Sequence, residues 1–220
     1  AYPGDPGPPG GAGAAHVAAT GGGVGHLSVG DAALGHGNAA LASLSRTDAR
    51  LMAAIDASLS FEEASTLPTT WATVHLSLLA ARPRSGDGAL LHAGAGGVGL
   101  AALEYGRLLG GRIVANAGRP FKHAYLRRLG LAGMLSSRDG AAFALGAARL
   151  LGACRLRLAL NSLSADFIAC SFALLRQGGW LCEIGKRSVW SLELQGEAAP
   201  ASRYVAVALD ASIGQAPEWL

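Results

Sequence analysis

The sequence predicts an α/β fold in which a parallel sheet carries helices on both faces. From residue 89 onward, short apolar runs alternate with segments of helical spacing, joined by short links. A glycine-rich turn, AGAGGVG at residues 93–99, follows the first of these runs and leads directly into a helix-like segment. Half of the 220 residues are apolar and only 15% are charged, so the chain can form a sizeable core.

The first part of the chain, residues 14–60, has a different pattern. Its short apolar runs are broken by Gly and Asp, and GVGHLSVGDAALG at 23–35 predicts a turn, a short strand and a turn. The composition of residues 1–13, rich in Pro and Gly, also leaves a flexible linker open. A helix is predicted after Ser60, with Ser60 as its N-cap and two acids, Glu62 and Glu63, in the first turn. We expect TWATVHLSLLA, at 70–80, to continue that helix.

Alternating strands and helices follow residue 89. The alternation predicts βαβ units, and right-handed crossovers place helices on both faces of the sheet. The glycines at 110–111 and at 130 mark the ends of two of the helices. The predicted strands are ALLHA, RIVAN, LRLAL, WLCEI and YVAVALD, and the predicted helices are LAALEYGRLL, FKHAYLRRL and ADFIACSFALL.

Charge and cysteine content exclude several classes of function. The net charge is +3 and no basic run is longer than Arg127–Arg128, so we expect no nucleic acid partner. Cys154, Cys170 and Cys182 are scattered without metal-ligand spacing, which predicts a reducing, cytoplasmic setting without a disulfide framework or a Cys-based zinc site. No apolar run is long enough to span a membrane, so no membrane association is expected.

The glycine-rich turn predicts a dinucleotide site. In a parallel sheet, glycines between the first strand and its helix let the backbone approach a pyrophosphate, and the helix N-terminus supplies N–H donors. Gly94, Gly96 and Gly99 fit the spacing G-x-G-x-x-G, and Gly97 is additional. With Val98 they form the predicted phosphate-binding turn of a Rossmann-type fold.

The end of the second predicted strand indicates which dinucleotide binds. An NAD site uses an acid there to hold the ribose 2′-hydroxyl, but the segment NAGRPFK contains none. It contains Arg119 and Lys122, which suit a 2′-phosphate and therefore favour NADPH. The alternative, that both are solvated surface charges, stays open.

An ordered set of motifs resembles one family. HAGAGGVGLAALEYGRLLG, KHAYLRRLG, SSRD, LNSLS, EIGK and RYVAVALD follow one another as in the enoyl reductase domains of polyketide synthases and animal-type fatty acid synthases. These domains belong to the zinc-free branch of the medium-chain dehydrogenase/reductase superfamily. The resemblance implies that residues 1–70 are part of a GroES-like, β-rich substrate domain and that 71–220 are a C-terminally incomplete, NADPH-binding Rossmann-type domain. It also places Asn161, in LNSLS, with the cofactor-binding residues.

The resemblance further implies NADPH-dependent reduction of an α,β-unsaturated thioester on an acyl carrier protein, beside neighbouring synthase domains. Hydride is added at the β-carbon and a proton at the α-carbon. Lys186 and Asp210, each at the end of a predicted strand, fall where the family has candidate proton donors. Ligands of parallel sheets bind beyond the strand carboxyl ends, which favours the same two residues. The alternative is an exposed loop lysine and a helix-capping aspartate.

The sequence also departs from the family. His75 stands where many members have Tyr, and it is either a third proton donor or stabiliser or a packed helix histidine. The resemblance begins late in the GroES-like domain, so we expect the chain alone to be a poor catalyst. Two other functions stay open: a stand-alone zinc-free quinone oxidoreductase and a truncated, non-catalytic nucleotide-binding remnant.

Overall fold

The computed structural model describes residues 8–164 and 166–215, and within it the chain forms two compact units. One contains the residues up to 72 together with those from 208 onward, and the other contains residues 73–207. The first seven residues of the Pro/Gly-rich start and the final APEWL lie outside the described residues. The domain limits proposed from the resemblance, 1–70 and 71–220, stay a prediction.

The first unit contains a three-stranded antiparallel sheet in the order β1-β2-β3. The strand expected within GVGHLSVGDAALG lies later than predicted and begins at Ala32. The reason is a turn, in which the Asp31 carboxylate accepts from the Ser28 N–H at 2.8 Å and the Asp31 N–H donates to the Ser28 carbonyl at 3.1 Å. The strands are β1 (Ala12–His16), β2 (Ala32–His36) and β3 (Met52–Ala54), the last preceded by a 3-10 turn at Ala49–Leu51.

The helix predicted after Ser60 begins there but is interrupted. Ser60 and Glu63 form a reciprocal capping box, which confirms the predicted start. Helix α1 (Phe61–Ser65) then ends, and α2 (Leu67–Ala81) begins. Pro68 explains the break, because it has no N–H to donate into a continuous helix but is well suited to a first turn.

The second unit contains a six-stranded parallel sheet in the order β6-β5-β4-β7-β8-β9, which confirms the predicted Rossmann-type fold. Strand order reverses between β4 and β7, the position at which such sheets bind ligands. The strands are β4 (Ala89–Leu91), β5 (Ile113–Ala117), β6 (Gly133–Ser136), β7 (Leu156–Asn161), β8 (Leu175–Glu183) and β9 (Arg203–Ala206). The helices that follow α2 are α3 (Gly97–Leu108), α4 (Pro120–Arg128), α5 (Gly140–Leu151), α6 (Asp166–Leu174), α7 (Leu192–Ala198) and α8 (Leu209–Gln215), the last of which belongs to the first unit.

Apolar side chains from the sheet and from α5 and α6 form the core of the second unit. They come from neighbouring strands and from the helices that cover them, so the strands and helices that alternate along the sequence together supply the core. Thirteen buried residues form this cluster: Leu90, Val114, Leu135, Phe143, Ala147, Leu151, Leu156, Ala159, Ile168, Phe172, Leu174, Leu175 and Leu181.

One predicted strand is wrong at its end. YVAVALD was expected to be extended throughout, but β9 stops at Ala206 and α8 begins at Leu209. The Val207 N–H still donates to the Glu183 carbonyl, at 2.8 Å, and the next carbonyl, of Ala208, accepts from the Ser212 N–H at 3.0 Å. Asp210 therefore lies in the first turn of a helix, and the prediction that it ends a strand is wrong.

None of the helices in residues 8–164 and 166–215 is both long enough and apolar enough to cross a membrane.

Candidate functional site

The glycine-rich turn joins the carboxyl end of β4 to the start of α3, at the reversal of strand order. A side chain at Gly94 would place a Cβ atom 2.7 Å from the Cβ of Ala115. At Gly99 it would lie 2.7 Å from the Ala93 carbonyl oxygen and from the Gly94 Cα. Both distances are shorter than real contacts, so packing under the turn requires glycine at these two positions.

The N-terminus of α3 opens at this turn. Gly96 is the N-cap, no side chain caps the helix, and the first intrahelical bond runs from the Leu100 N–H to the Gly96 carbonyl at 2.9 Å. The N–H groups of Gly97, Val98 and Gly99 therefore precede the intrahelical ladder and can donate to an anion. Helix α3 has 12 residues, so its dipole also favours a negative group at this end.

A small pocket of about 200 Å³ lies beside the turn and combines parts of three successive strand ends. Arg119 and Lys122, the two predicted cations, both line it. Arg138, in the loop after β6, lines it as well, and its Nε donates to the Gly118 carbonyl at 3.3 Å. Within the described part of the chain, the lining contains no carboxylate; its other members are Ala93, Ala95, Ala117, Gly118 and Ser137.

Ser137 and Arg138 were not among the predicted site residues. In the sequence, SSRD contributes only to the resemblance, because the pattern of residues 131–136 does not predict β6. Once β6 is placed as the parallel neighbour of β5, the loop that follows it must open at the same edge of the sheet as Arg119.

Asn161 and Glu183 end the neighbouring strands β7 and β8 and contact one another. The Asn161 Nδ2 donates to the Glu183 Oε2 at 2.5 Å and to the Leu163 carbonyl at 2.6 Å, while its Oδ1 accepts from the Leu163 N–H at 3.3 Å. The Asn161 carboxamide is therefore engaged within the protein. Its assignment to a cofactor stays a prediction.

Glu183 is a buried carboxyl group to which no pattern in the sequence points. It is 1% exposed, and its Oε1 accepts from the Gly185 N–H at 2.7 Å. Burial raises its pKa to about 7, opposed by the hydrogen bonds from Asn161 and Gly185. A strongly shifted carboxyl at the carboxyl end of a parallel strand is a typical feature of functional sites.

The three predicted proton donors occupy different settings. Lys186 lies three residues beyond β8, is exposed, and donates from Nζ to the Val207 carbonyl at 3.3 Å. Asp210 is exposed on α8, in the first unit, and His75 is half-buried on α2, in the second. Their catalytic roles stay predictions.

In the ranges 8–164 and 166–215, no group of three or more His, Cys, Asp or Glu residues could hold a metal ion. No family profile matches the chain.

Curated relatives of the chain are large polyketide synthases. It is 41% identical over 133 residues to the hybrid PKS-NRPS synthetase pyvA of Aspergillus violaceofuscus, a match over 59% of this chain and 4% of that protein. It is 36% identical over 165 residues to erythronolide synthase EryA2 of Saccharopolyspora erythraea, which covers 73% of this chain and 5% of the synthase. The chain thus spans a small part of the curated relatives it matches.

Solved structures with the same fold include reductases. The CurK enoyl reductase superposes with a TM-score of 0.82 and 32% identity, over 92% of this chain and 61% of that one. A chain described as the putative enoyl reductase domain of a polyketide synthase is 31% identical with a TM-score of 0.60, over 68% of this chain and 83% of its own length. Mycobacterial Rv1454c, solved in complex with NADPH, has a TM-score of 0.83 at 26% identity, over 96% of this chain and 68% of that one.

Proposed function

Because the chain belongs to the enoyl reductase domains of polyketide synthases, within the medium-chain dehydrogenase/reductase superfamily, we propose that it binds NADPH and reduces an α,β-unsaturated acyl thioester. The observation that carries this proposal is a cationic pocket beside the glycine-rich turn, which itself opens at the reversal of strand order. The substrate is proposed to arrive on an acyl carrier protein beside other synthase domains, since the relatives are multidomain synthases.

The described residues fit a nicotinamide dinucleotide with a 2′-phosphate. Gly94 and Gly99 allow the turn to pack closely against the protein beneath it, and the first N–H groups of α3 would hold the pyrophosphate. Arg119, Lys122 and Arg138 line the pocket in which the 2′-phosphate would lie. The lack of a carboxylate in the described lining supports NADPH over NADH, because an acid there would repel the extra phosphate.

When bound, NADPH supplies the hydride that the β-carbon of the substrate accepts. The chain would then have to provide a proton for the α-carbon and stabilise the negative charge that develops on the thioester oxygen. Lys186 can do both through its ammonium group, and Asp210 and His75 are the other proposed donors. The hydrogen bond from Lys186 to the Val207 carbonyl holds the ammonium close to the end of β9, on the same edge of the sheet as Asn161 and Glu183.

Binding measurements test the nucleotide half of this proposal. Isothermal titration of the wild-type chain should give a lower Kd for NADPH than for NADH. Lys122→Ala should weaken NADPH by at least about tenfold, as expected for loss of a charge-assisted contact, and leave NADH nearly unchanged. Arg128→Ala is the matched control, because Arg128 is an exposed cation in the last turn of the same helix, α4, and does not line the pocket. Equal affinity of the wild type for both nucleotides would contradict the proposal.

A second candidate is quinone reduction, favoured by the likeness to a mycobacterial protein described as a quinone oxidoreductase, with a TM-score of 0.80 at 25% identity. Oxidation of NADPH should be followed in parallel with a crotonyl thioester and with a quinone. Oxidation of NADPH with the quinone but not with the thioester would contradict enoyl reduction and support quinone reduction.

A further inference from the structure

The first residue of the glycine-rich turn has a backbone conformation that needs support. Ala93 has φ of +51°, in the left-handed region that residues with a side chain rarely adopt. Its N–H donates to the side-chain Oδ1 of Asn116 at 2.8 Å, and the following N–H, of Gly94, donates to the backbone carbonyl of Asn116 at 2.9 Å. A single residue of β5 thus accepts the first two N–H groups of the turn.

The orientation of the Asn116 amide is set from two sides, by the Ala93 N–H and by the His92 ring. Because Oδ1 accepts from Ala93, the Asn116 Nδ2 must donate to the His92 Nδ1, at 2.6 Å. His92 then carries its proton on Nε2 and donates to the Ser171 Oγ at 2.7 Å, and Ser171 donates to the Phe167 carbonyl at 2.6 Å. These hydrogen bonds form a relay from Asn116 through His92 and Ser171 to the Phe167 carbonyl. Each donor group in the relay has an acceptor, and its direction cannot be reversed at one residue without leaving another unpaired.

The relay is also isolated from water. Asn116 and Ser171 are fully buried, and His92 is 3% exposed. The His92 ring lies 5.4 Å from the Phe143 ring and 6.0 Å from the Phe167 ring, centroid to centroid. This burial lowers the pKa of His92 to about 3, opposed by the hydrogen bond to Asn116, so its Nδ1 stays an acceptor at neutral pH.

We propose that Asn116 is a positioning residue for nucleotide binding, and that His92 and Ser171 fix the orientation of its amide. The residue acts through the backbone of Ala93 and Gly94, which it holds in the conformation that opens the turn towards a pyrophosphate. This inference rests on the proposed function, since it concerns the same nucleotide. The role of Asn116 differs from that proposed for Lys122, because the turn faces the part of the dinucleotide that NADPH and NADH share.

Titrations of both nucleotides into Asn116→Ala provide the first test. The variant should bind NADPH and NADH about tenfold more weakly, and to the same extent, as expected for loss of one buried hydrogen bond. Amide hydrogen exchange should accelerate at Ala93 and Gly94 in the absence of nucleotide. Leu151→Ala is the matched control, because it removes a buried side chain at the far end of α5 and lowers stability without contacting the turn.

Two substitutions of His92 separate positioning from packing. In His92→Asn the new Oδ1 can take the place of Nδ1 and still accept from Asn116, whereas in His92→Gln the new amide takes the place of Nε2 and reaches Ser171. Both lose the ring. Positioning predicts that His92→Asn keeps nucleotide affinity within about threefold while His92→Gln loses about tenfold, as expected for one hydrogen bond.

The outcomes are distinguishable. A wild-type chain that binds neither nucleotide would overturn the proposed function and this inference together. Normal wild-type binding with unchanged affinity in Asn116→Ala would overturn the inference alone. If His92→Asn and His92→Gln lose nucleotide affinity equally, and in proportion to their loss of stability, the relay only packs the core. If Asn116→Ala does not fold, the His92 pair decides by itself.

Discussion

Asn161 donates a hydrogen bond from Nδ2 to the buried carboxylate of Glu183, and this contact joins the loops that follow β7 and β8. Glu183 also accepts from the Gly185 N–H, so one side chain fixes the start of the loop that carries Lys186. The proposed catalytic lysine therefore follows a segment held by a pair of buried polar groups, and the properties of that pair can be measured directly.

Stability should depend on pH through Glu183. Its pKa rises from 4.5 to about 7 on folding, so the folded chain keeps a proton that the unfolded chain releases between these values. The contribution of the Glu183 proton to the free energy of unfolding is fully present below pH 4.5 and is lost as the pH rises through 7. Across that window, Glu183→Gln should gain stability relative to the wild type, by up to about 3 kcal/mol.

Urea denaturation at several pH values tests the Glu183 prediction. The amide of Glu183→Gln reorients against Asn161 and changes the free energy of unfolding by an amount that does not depend on pH. The diagnostic quantity is therefore the slope of that free energy against pH. Glu197→Gln, an exposed position on α7, is the control and should follow the wild type. Parallel profiles for the wild type and Glu183→Gln would show that the Glu183 carboxyl titrates normally.

Gly94→Ala should destabilise the fold by about 1–3 kcal/mol, because its Cβ atom would lie 2.7 Å from the Cβ of Ala115. The double variant with Ala115→Gly removes the opposing atom and should recover part of the loss. As a control, Gly196→Ala meets no atom within 4 Å on α7 and should be neutral or stabilising by up to about 1 kcal/mol. Free energies of unfolding from urea titration check all three, and a neutral Gly94→Ala would contradict the packing described for the turn.

Arg138→Ala should raise the Kd for NADPH by at least about tenfold and leave that for NADH nearly unchanged, since its guanidinium lines the proposed 2′-phosphate pocket. Arg149→Ala, in the last turn of α5, removes the same charge away from the pocket. The expected difference between the two variants should persist in titrations at low salt. An equal rise of the NADPH Kd in both variants would show that affinity depends on the net charge of the protein and not on the pocket.

Lys186→Ala should slow enoyl reduction by about 10²–10⁴-fold while the Kd for NADPH stays nearly unchanged, as expected for loss of a general acid. Arg187→Ala, the next exposed cation, is the control. The double variant Lys186→Ala with Asp210→Asn should be slower still. Reduction of a crotonyl thioester by the double variant at the parent rate would remove both residues from the proposed mechanism.

Much of the fold could be predicted because the local and the overall patterns agree. Strand β7 is a short apolar run that is buried along almost its whole length, helix α3 buries one part of its surface, and Ser60 with Glu63 forms a recognisable cap. Strand β6 was missed because it has four residues and begins with Gly133, and only Leu135 is buried in it.

The missed parts of the site depend on pairing between strands. His92 and Asn116 are 24 residues apart, and they meet because β4 and β5 are parallel with Leu91 opposite Ala115. Nothing in the sequence near either residue indicates that contact. Asp210 was misplaced for a related reason, since VAVALD is apolar enough for a strand and its turn into α8 depends on where the β8–β9 ladder ends.

Transfer of deuterium from NADPH labelled at the reactive position of its nicotinamide tests the central claim most directly. The chain is incubated with labelled NADPH and a crotonyl thioester for long enough to detect slow turnover, and the product is examined by mass spectrometry. We expect a butyryl thioester with deuterium at the β-carbon, less of it with Lys186→Ala, and none without the protein. A chain that binds NADPH normally but transfers no deuterium to the thioester, or transfers it only to a quinone, would contradict the proposed enoyl reductase activity.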